Sequence, residues 1–162
     1  VPGHMGYKLL EKIIEFKKNI VDISFSPENI LSLDIKAKKK NVTVIFDAGL
    51  APGIPNFLLG NINAKENVKS FKYFVGGLPK YPKPPYNYKA PFSPIDVIEE
   101  YTRPARYVEN SKMIIREPLT DCEYVDFNGV GTLESFNSDG LRSIIFTMPH
   151  IPNMKEKTLQ EI

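Results

Sequence analysis

Fourteen prolines lie in this chain, and their placing limits the fold more than any other feature. Several crowd into residues 79–94, PKYPKPPYNYKAPFSP. Proline has a fixed φ and no N–H, so such a segment is stiff, poor in donors and barred from the centre of a sheet. It reads as a long, ordered excursion that shapes a surface or a pocket, set between strand-like stretches.

Ahead of it, apolar periodicity changes repeatedly. Tyr7–Phe16 reads as a helix with Leu9, Leu10, Ile13 and Ile14 inward. Asn19–Phe25 is a short apolar run of the kind found in buried parallel strands. Ser26-Pro27 predicts a cap and first helical position, with a helix to about Lys39 that buries Leu31, Leu33 and Ile35. Lys36, Lys38, Lys39 and Lys40 give it a basic end, which suits a helix C-terminus as a solvated face and could also meet phosphate. Val42–Phe46 is the next strand. Asp47-Ala48-Gly49 ends it, Ala51-Pro52-Gly53 turns the chain, and Ile54–Leu59 predicts a helix stopping at Gly60. This rhythm indicates an α/β layer on a parallel sheet. Ligands of open α/β sheets bind outside the carboxyl ends of strands, which puts Pro2, Gly3, Ser24, Phe25, Asp47, Ala48 and Gly49 on one rim. Asp47 reads equally well as a turn or capping residue.

Beyond Val68 strands dominate. Lys69–Val75, Met113–Ile115, Glu123–Phe127, Thr132–Phe136 and Lys155–Ile162 are candidates, with Leu141–Thr147 a short helix after the turn or cap cluster Asn137-Ser138-Asp139-Gly140. That mixture predicts α+β. Between them Lys89–Arg106, KAPFSPIDVIEEYTRPAR, holds a helix start and a helix stop. Ser93 can cap, Pro94 fits the first position, Asp96 favours the positive helix end, and Val97, Ile98 and Tyr101 form an apolar stripe. Pro104 ends the helix. Arg103 and Arg106 then stand beside Tyr101 and Thr102. Two guanidiniums there can clamp a carboxylate; they can equally be surface charges or partners for Glu99 and Glu100.

Several function classes find no support. A formal charge of +2 gives no reason to invoke nucleic acid or membrane. No apolar run is long enough to span a bilayer and no secretory signal is visible. The single cysteine, Cys122, cannot form an internal disulfide, agrees with a reducing, cytoplasmic setting, and reads as a small half-buried side chain. His4 and His150 read as surface or packing residues more readily than as acid–base groups. No histidine pair at metal spacing and no C-x-x-C occurs, so no metal is expected. There is no G-x-S-x-G. There is also no G-x-G-x-x-G and no acidic residue placed for a ribose.

Five segments, VPGHMGYKLLEKII, VDISFSPEN, VTVIFDAGLAPGIPNFLLG, GGLPKYPKPPYNYKAPFSPIDVIEEYTRPARYVE and GTLESFNSDGLRSI, cover nearly the whole chain. In order, they resemble segments of the saccharopine dehydrogenase-like family, above all its lysine 6-dehydrogenase branch. The resemblance implies α/β plus α+β: an incomplete Rossmann-like parallel layer over residues 1–60, then a mixed-sheet substrate-binding and dimerisation domain over 61–162. It implies hydride transfer between NAD or NADP and a C–N bond of lysine or a lysine-derived amine, in a homodimer. With the glycine fingerprint absent, the first half of the nucleotide domain is expected upstream of Val1, and the isolated chain is expected to be inactive. The alternative is a dimerisation or substrate-domain module, or a pseudoenzyme, without nucleotide binding. By resemblance, Pro2, Gly3, Ser24, Phe25, Asp47, Ala48 and Gly49 would face the cofactor. Arg103 or Arg106 would hold a substrate carboxylate. Lys89, Ser93, Tyr101 and Thr102 would supply polar contacts, and Asp47 or Glu134 would receive an ammonium. No residue is assigned to proton transfer.

Overall fold

Gly3, Gly6, Leu10 and Ile14 recur at intervals of three and four, and they form the buried face of helix α1, Gly3–Glu15. Of the four apolar residues expected inward, Leu10 and Ile14 are buried, Ile13 is half-buried and Leu9 is exposed. Gly6 is required by contact: a Cβ there would run into the side-chain oxygens of Ser24 and Ser26. The computed structural model describes residues 1–161. They form two units, one from 1–67 with 142–147, the other from Val68–Leu141 and from Met148 onward.

In the first unit, strands β1 (Ile20–Val21) and β2 (Val44–Ile45) pair in parallel. Backbone bonds Ile20 N to Thr43 O (2.9 Å), Asp22 N to Ile45 O (2.8 Å) and Ala48 N to Asp22 O (3.1 Å) extend the ladder beyond them. Ile20, Val44 and Phe46 pack on a core of Leu10, Ile14, Ile30, Leu33, Ala37 and Val42. Val21, Ile23 and Ile45 are exposed, in keeping with the two-residue alternation of a strand.

The helix expected from Ser26-Pro27 starts later. Asn29 is the effective cap: its Oδ1 accepts the Leu31 N–H at 3.1 Å and begins a 3-10 turn, Ile30–Leu33, which leads into α2, Asp34–Lys40. Ser26 is unavailable, being buried with its hydroxyl against Ser24 at 3.2 Å. The phase of the buried face shifts accordingly, to Ile30, Leu33 and Ala37, and Ile35 points outward. Helix α2 ends at Asn41, which adopts the left-handed conformation. Helix α3 (Ile54–Asn63) runs through Gly60 and closes a turn later, where Ala64 N–H bonds Gly60 O. Glycine permits a stop but does not impose one.

In the second unit, β3 (Phe71–Val75), α4 (Pro94–Thr102), β4 (Ala105–Glu109), β5 (Lys112–Arg116), β6 (Glu123–Phe127), β7 (Gly131–Asn137) and β8 (Met154–Gln160) succeed one another along the chain. The short helix α5, Ile144–Thr147, belongs to the first unit, where Ile144 and Ile145 are buried. Strand β8 organises the sheet. Strand β3 lies parallel along one of its edges, from Phe71↔Met154 to Val75↔Thr158. Along its other edge run β4, at Val108↔Met154, and β7, from Asn137↔Lys157 to Glu134↔Gln160, both antiparallel. Strand β5 pairs β4 and β6 pairs β7. A small parallel sheet and a larger, mostly antiparallel one give the mixed α/β class expected from the sequence.

Four details differ from expectation. Strand β4 is absent from the strands expected, because it begins immediately after Pro104. Asn110 and Ser111, both at positive φ, turn it into β5 without the usual Asn-Gly signature. Ser93 precedes α4, but its hydroxyl makes no capping bond; its carbonyl takes the N–H groups of Asp96 and Val97. In the expected apolar stripe Val97 is buried and Tyr101 half-buried, whereas Ile98 is exposed. Cys122 is exposed rather than half-buried.

Candidate functional site

Pro104 drives Arg103 into an extended conformation (φ −79°, ψ 127°), which stops α4 and starts β4 two residues later. Arg106 is therefore a strand residue. Its main-chain N–H and Nε both donate to Asp139 Oδ1, at 3.1 and 2.9 Å, and its NH2 donates to Oδ2 at 2.7 Å. The pair is a two-pronged arginine–carboxylate contact, the strongest common geometry for these groups. Asp139 is buried, and the Arg106 side chain keeps 25% of its surface in solvent.

The turn that carries Asp139 is held at every residue. Asn137 Oδ1 accepts the Tyr107 hydroxyl at 3.0 Å, and its Nδ2 donates to Thr120 Oγ1 and Asp121 Oδ2 at 3.0 and 2.9 Å. Ser138 Oγ and Gly140 N–H both bond Glu156 Oε2, at 2.7 and 3.0 Å, and Ser138 also meets Thr158 Oγ1 at 2.7 Å. Gly140 O accepts the Tyr73 hydroxyl at 2.9 Å. The one Tyr107 hydroxyl proton is shared between Asn137 Oδ1 and the Glu156 carbonyl. Every buried polar group here needs such a partner to offset its desolvation.

Burial sets the proton affinities. It pushes the Glu156 carboxyl up to about 7, outweighing the bonds from Ser138 and Gly140. It does the same to Glu100 on α4, also to about 7, with Asp96 adding repulsion. The phenols of Tyr107, Tyr101 and Tyr88 are likewise raised by burial.

The other sequence-nominated substrate residues have local partners of their own. Arg103 pairs with Glu99 one helical turn back. Tyr101 stacks on Phe136 with centroids 5.1 Å apart. Thr102 returns its hydroxyl to Ile98 O at 3.0 Å. Glu134 accepts the Gln160 amide at 2.6 Å, on the same sheet face as Phe136 by strand alternation. Lys89 is exposed and Ser93 half-buried. The residues that sequence reasoning missed are Tyr107, Asn137, Ser138, Asp139 and Glu156. Their signal was present, as the Asn-Ser-Asp-Gly run and the alternation of Met154, Glu156 and Thr158.

The nominated cofactor residues lie in the first unit. Ser24 Oγ and N–H both bond Asp22, at 2.7 and 3.2 Å. Asp47 is buried, takes the Ser143 N–H at 3.0 Å, and has Arg142 Nε at 3.8 Å. The Arg142 guanidinium lies 5.3 Å from the Phe25 ring centre. Ala48 continues the strand ladder, Gly49 N–H bonds Pro52 O at 3.0 Å, and Pro2 O caps Met5 N–H at 3.0 Å beside buried Gly3. The glycine fingerprint that would cradle a phosphate is absent from the sequence. The residues therefore do not by themselves fit a whole dinucleotide. Among the described residues no cluster of His, Cys, Asp and Glu is arranged to hold a metal, and no helix is long and apolar enough to cross a membrane.

Residues 49–161, which include the whole Arg106–Asp139–Glu156 arrangement, match the family described as Saccharopine dehydrogenase C-terminal domain. The chain belongs to that family. Among curated relatives of this saccharopine dehydrogenase C-terminal domain, the alpha-aminoadipic semialdehyde synthase of Arabidopsis thaliana is 34% identical over 121 residues, 70% of this chain and 11% of that protein. The mitochondrial enzyme of the same name from Mus musculus is 32% identical over 108 residues, 62% of this chain and 12% of that protein. The chain thus spans about a tenth of the length of the curated relatives it matches. In fold it resembles apo saccharopine dehydrogenase (L-Glu forming) from Saccharomyces cerevisiae, with a TM-score of 0.70 at 20% identity, over 99% of this chain and 39% of that one.

Proposed function

We propose that this saccharopine dehydrogenase C-terminal domain is the substrate-side part of an oxidoreductase acting at a C–N bond of lysine or a lysine-derived amine. NAD or NADP would supply the hydride chemistry in the complete enzyme, and the chain would pair as a homodimer. The observation that carries the reading is the Arg106–Asp139 contact. A buried carboxylate fixes the plane of a partly exposed guanidinium, so that a substrate carboxylate meets a cation already oriented. Arg103 is the second cation, held by Glu99. Tyr101, Thr102, Ser93 and Lys89 would bind the rest of the amino acid. Glu134 is the better candidate for the substrate ammonium, because the Asp47 carboxylate already meets Ser143 and Arg142. Ser24, Phe25, Ala48, Gly49, Pro2 and Gly3 would line one rim of the nucleotide, with its phosphate grip supplied from elsewhere.

In the complete protein, Arg106→Ala should raise the substrate KM by about 10- to 100-fold, the equivalent of a charged hydrogen bond or two, and leave the cofactor KM unchanged. Equal losses for both would make Arg106 structural. No reduction of NAD or NADP with any lysine-derived amine would overturn the reading. A second reading, a substrate or dimerisation module without nucleotide binding, is favoured by the missing glycine fingerprint. NADH fluorescence titration of the chain separates the two: saturable binding removes the second.

A further inference from the structure

Glu156 is 1% exposed, and none of the ion pairs among the described residues includes it. Its one oxygen Oε2 grips Ser138 and Gly140, the two neighbours of Asp139. Gly140 is pressed so close that a Cβ would lie 2.7 Å from Glu156 Cδ. Asp139, between these two anchors, turns the other way and takes Arg106. Glu156, the turn, Asp139 and Arg106 thus form one mechanical series.

We propose that Glu156 is a positioning residue for Arg106, gated by its own proton: with the proton it anchors the 138–140 turn that presents Asp139, and without it the turn loosens and the arginine loses its fixed orientation.

The groups facing Glu156 explain why the proton matters. Asp139 from the turn and Glu100 from α4 both oppose a negative charge there. Tyr107 on β4 lies against its carbonyl, and Tyr73 is its register partner on β3. These are phenols, not cations. Lys157, the next residue, points to Asp121 O and Glu123 on the opposite side. An ionised Glu156 would have two donors and no counter-charge, at a site already facing two acids. Its carboxyl, raised to about 7, would lose the proton in the neutral range. The cheapest relief is to admit water, which means moving the turn. That the loss also weakens the grip on a substrate carboxylate rests on the oxidoreductase reading; the coupling of Glu156 to Arg106 does not.

The test uses the 162-residue chain and reads the clamp directly. The Arg106 side-chain Nε–H is followed by NMR as a protection factor against free arginine, together with the Glu156 carboxyl carbon, from about pH 5.5 to about pH 8.5. The wild type should lose about tenfold or more of its Arg106 protection as the Glu156 carbon titrates. Glu156→Gln, which keeps an acceptor for Ser138 and Gly140 and has no proton to lose, should stay protected throughout. Ser138→Ala removes a donor to the charged form and should move the transition to higher pH. Ordinary carboxylate titration of Glu156, an Arg106 signal indifferent to it, or the same pH loss in Glu156→Gln would each overturn the proposal. None of these readouts involves substrate, so failure of the oxidoreductase reading would leave them intact. If both hold, lysine or glutamate binding by calorimetry should weaken over the same pH range in wild type only.

Discussion

Arg106 and Asp139 are joined three times, once through the strand's own N–H and twice through the guanidinium. One acid thereby fixes both the backbone of β4 and the side chain that leaves it. Asp139→Asn keeps the shape but removes the charge. It should lower the stability of the chain by about 2–3 kcal/mol, below the cost of breaking a fully buried pair because Arg106 is partly solvated. Urea unfolding with an unchanged m-value would register it, and an effect under half a kilocalorie would show that the contact is only geometric.

Gly140→Ala should be costly for want of space. The new methyl would meet Glu156 Cδ, Cγ and Oε2 at 2.7–2.8 Å. Overpacking of this kind typically costs about 1–3 kcal/mol. A thermal melt reads it as a drop of several degrees, and relief in the double variant with Glu156→Ala would trace the clash to that side chain.

Stability should fall as pH rises from about 5 to about 7. Glu156 and Glu100 both have folded-state values near 7 against an ordinary 4.5. Within that window the folded chain holds protons that the unfolded chain has lost, so each group contributes a decline of about 1.4 kcal/mol per pH unit at most. Glu15, Glu109 and Glu123 act in the opposite sense and lower down. Lysine partners hold each below its ordinary value, so their contributions are complete above 4.5 and disappear in acid. Maximum stability should therefore lie near pH 5. Glu156→Gln with Glu100→Gln should flatten the neutral limb; a wild-type melting temperature that rises across it would contradict both assignments.

Two helix starts make a matched pair. Asn29→Ala removes the acceptor for Leu31 N–H and should cost about 1 kcal/mol. Ser93→Ala should be close to neutral, because that hydroxyl caps nothing. Chemical denaturation of the two variants side by side decides it; equal losses would mean that Ser93 does cap in solution.

Those starts also show how far the residues alone can be read. Apolar spacing locates α1 and β3, because periodicity is a local property of the chain, and α4 is marked by Pro94 at its start and Pro104 at its stop. Spacing could not rank two neighbouring capping residues. That choice depends on Ser26 being buried against Ser24, a contact made in three dimensions. Strand β4 was hidden by Pro104, whose local message is to stop a helix and which is silent on the conformation of the residues after it. Arg106 was singled out from its place after that helix. Its partner Asp139 lies thirty-three residues on, in a run that reads as a turn on local grounds alone. Glu156 was the least legible. Between two lysines it has the look of a solvated charge, and only the central position of β8 turns it inward.

The buried pair Ile144 and Ile145 of helix α5 and the Asp47–Ser143 bond have a consequence for dissecting the protein. Unit one is encoded in two stretches, and the stretch 142–147 interrupts unit two. No single scission separates them. A polypeptide ending at Asn67 would lack Ile144 and Ile145 and leave Asp47 facing neither Ser143 nor Arg142, so shortening the chain from its far end dismantles its beginning as well.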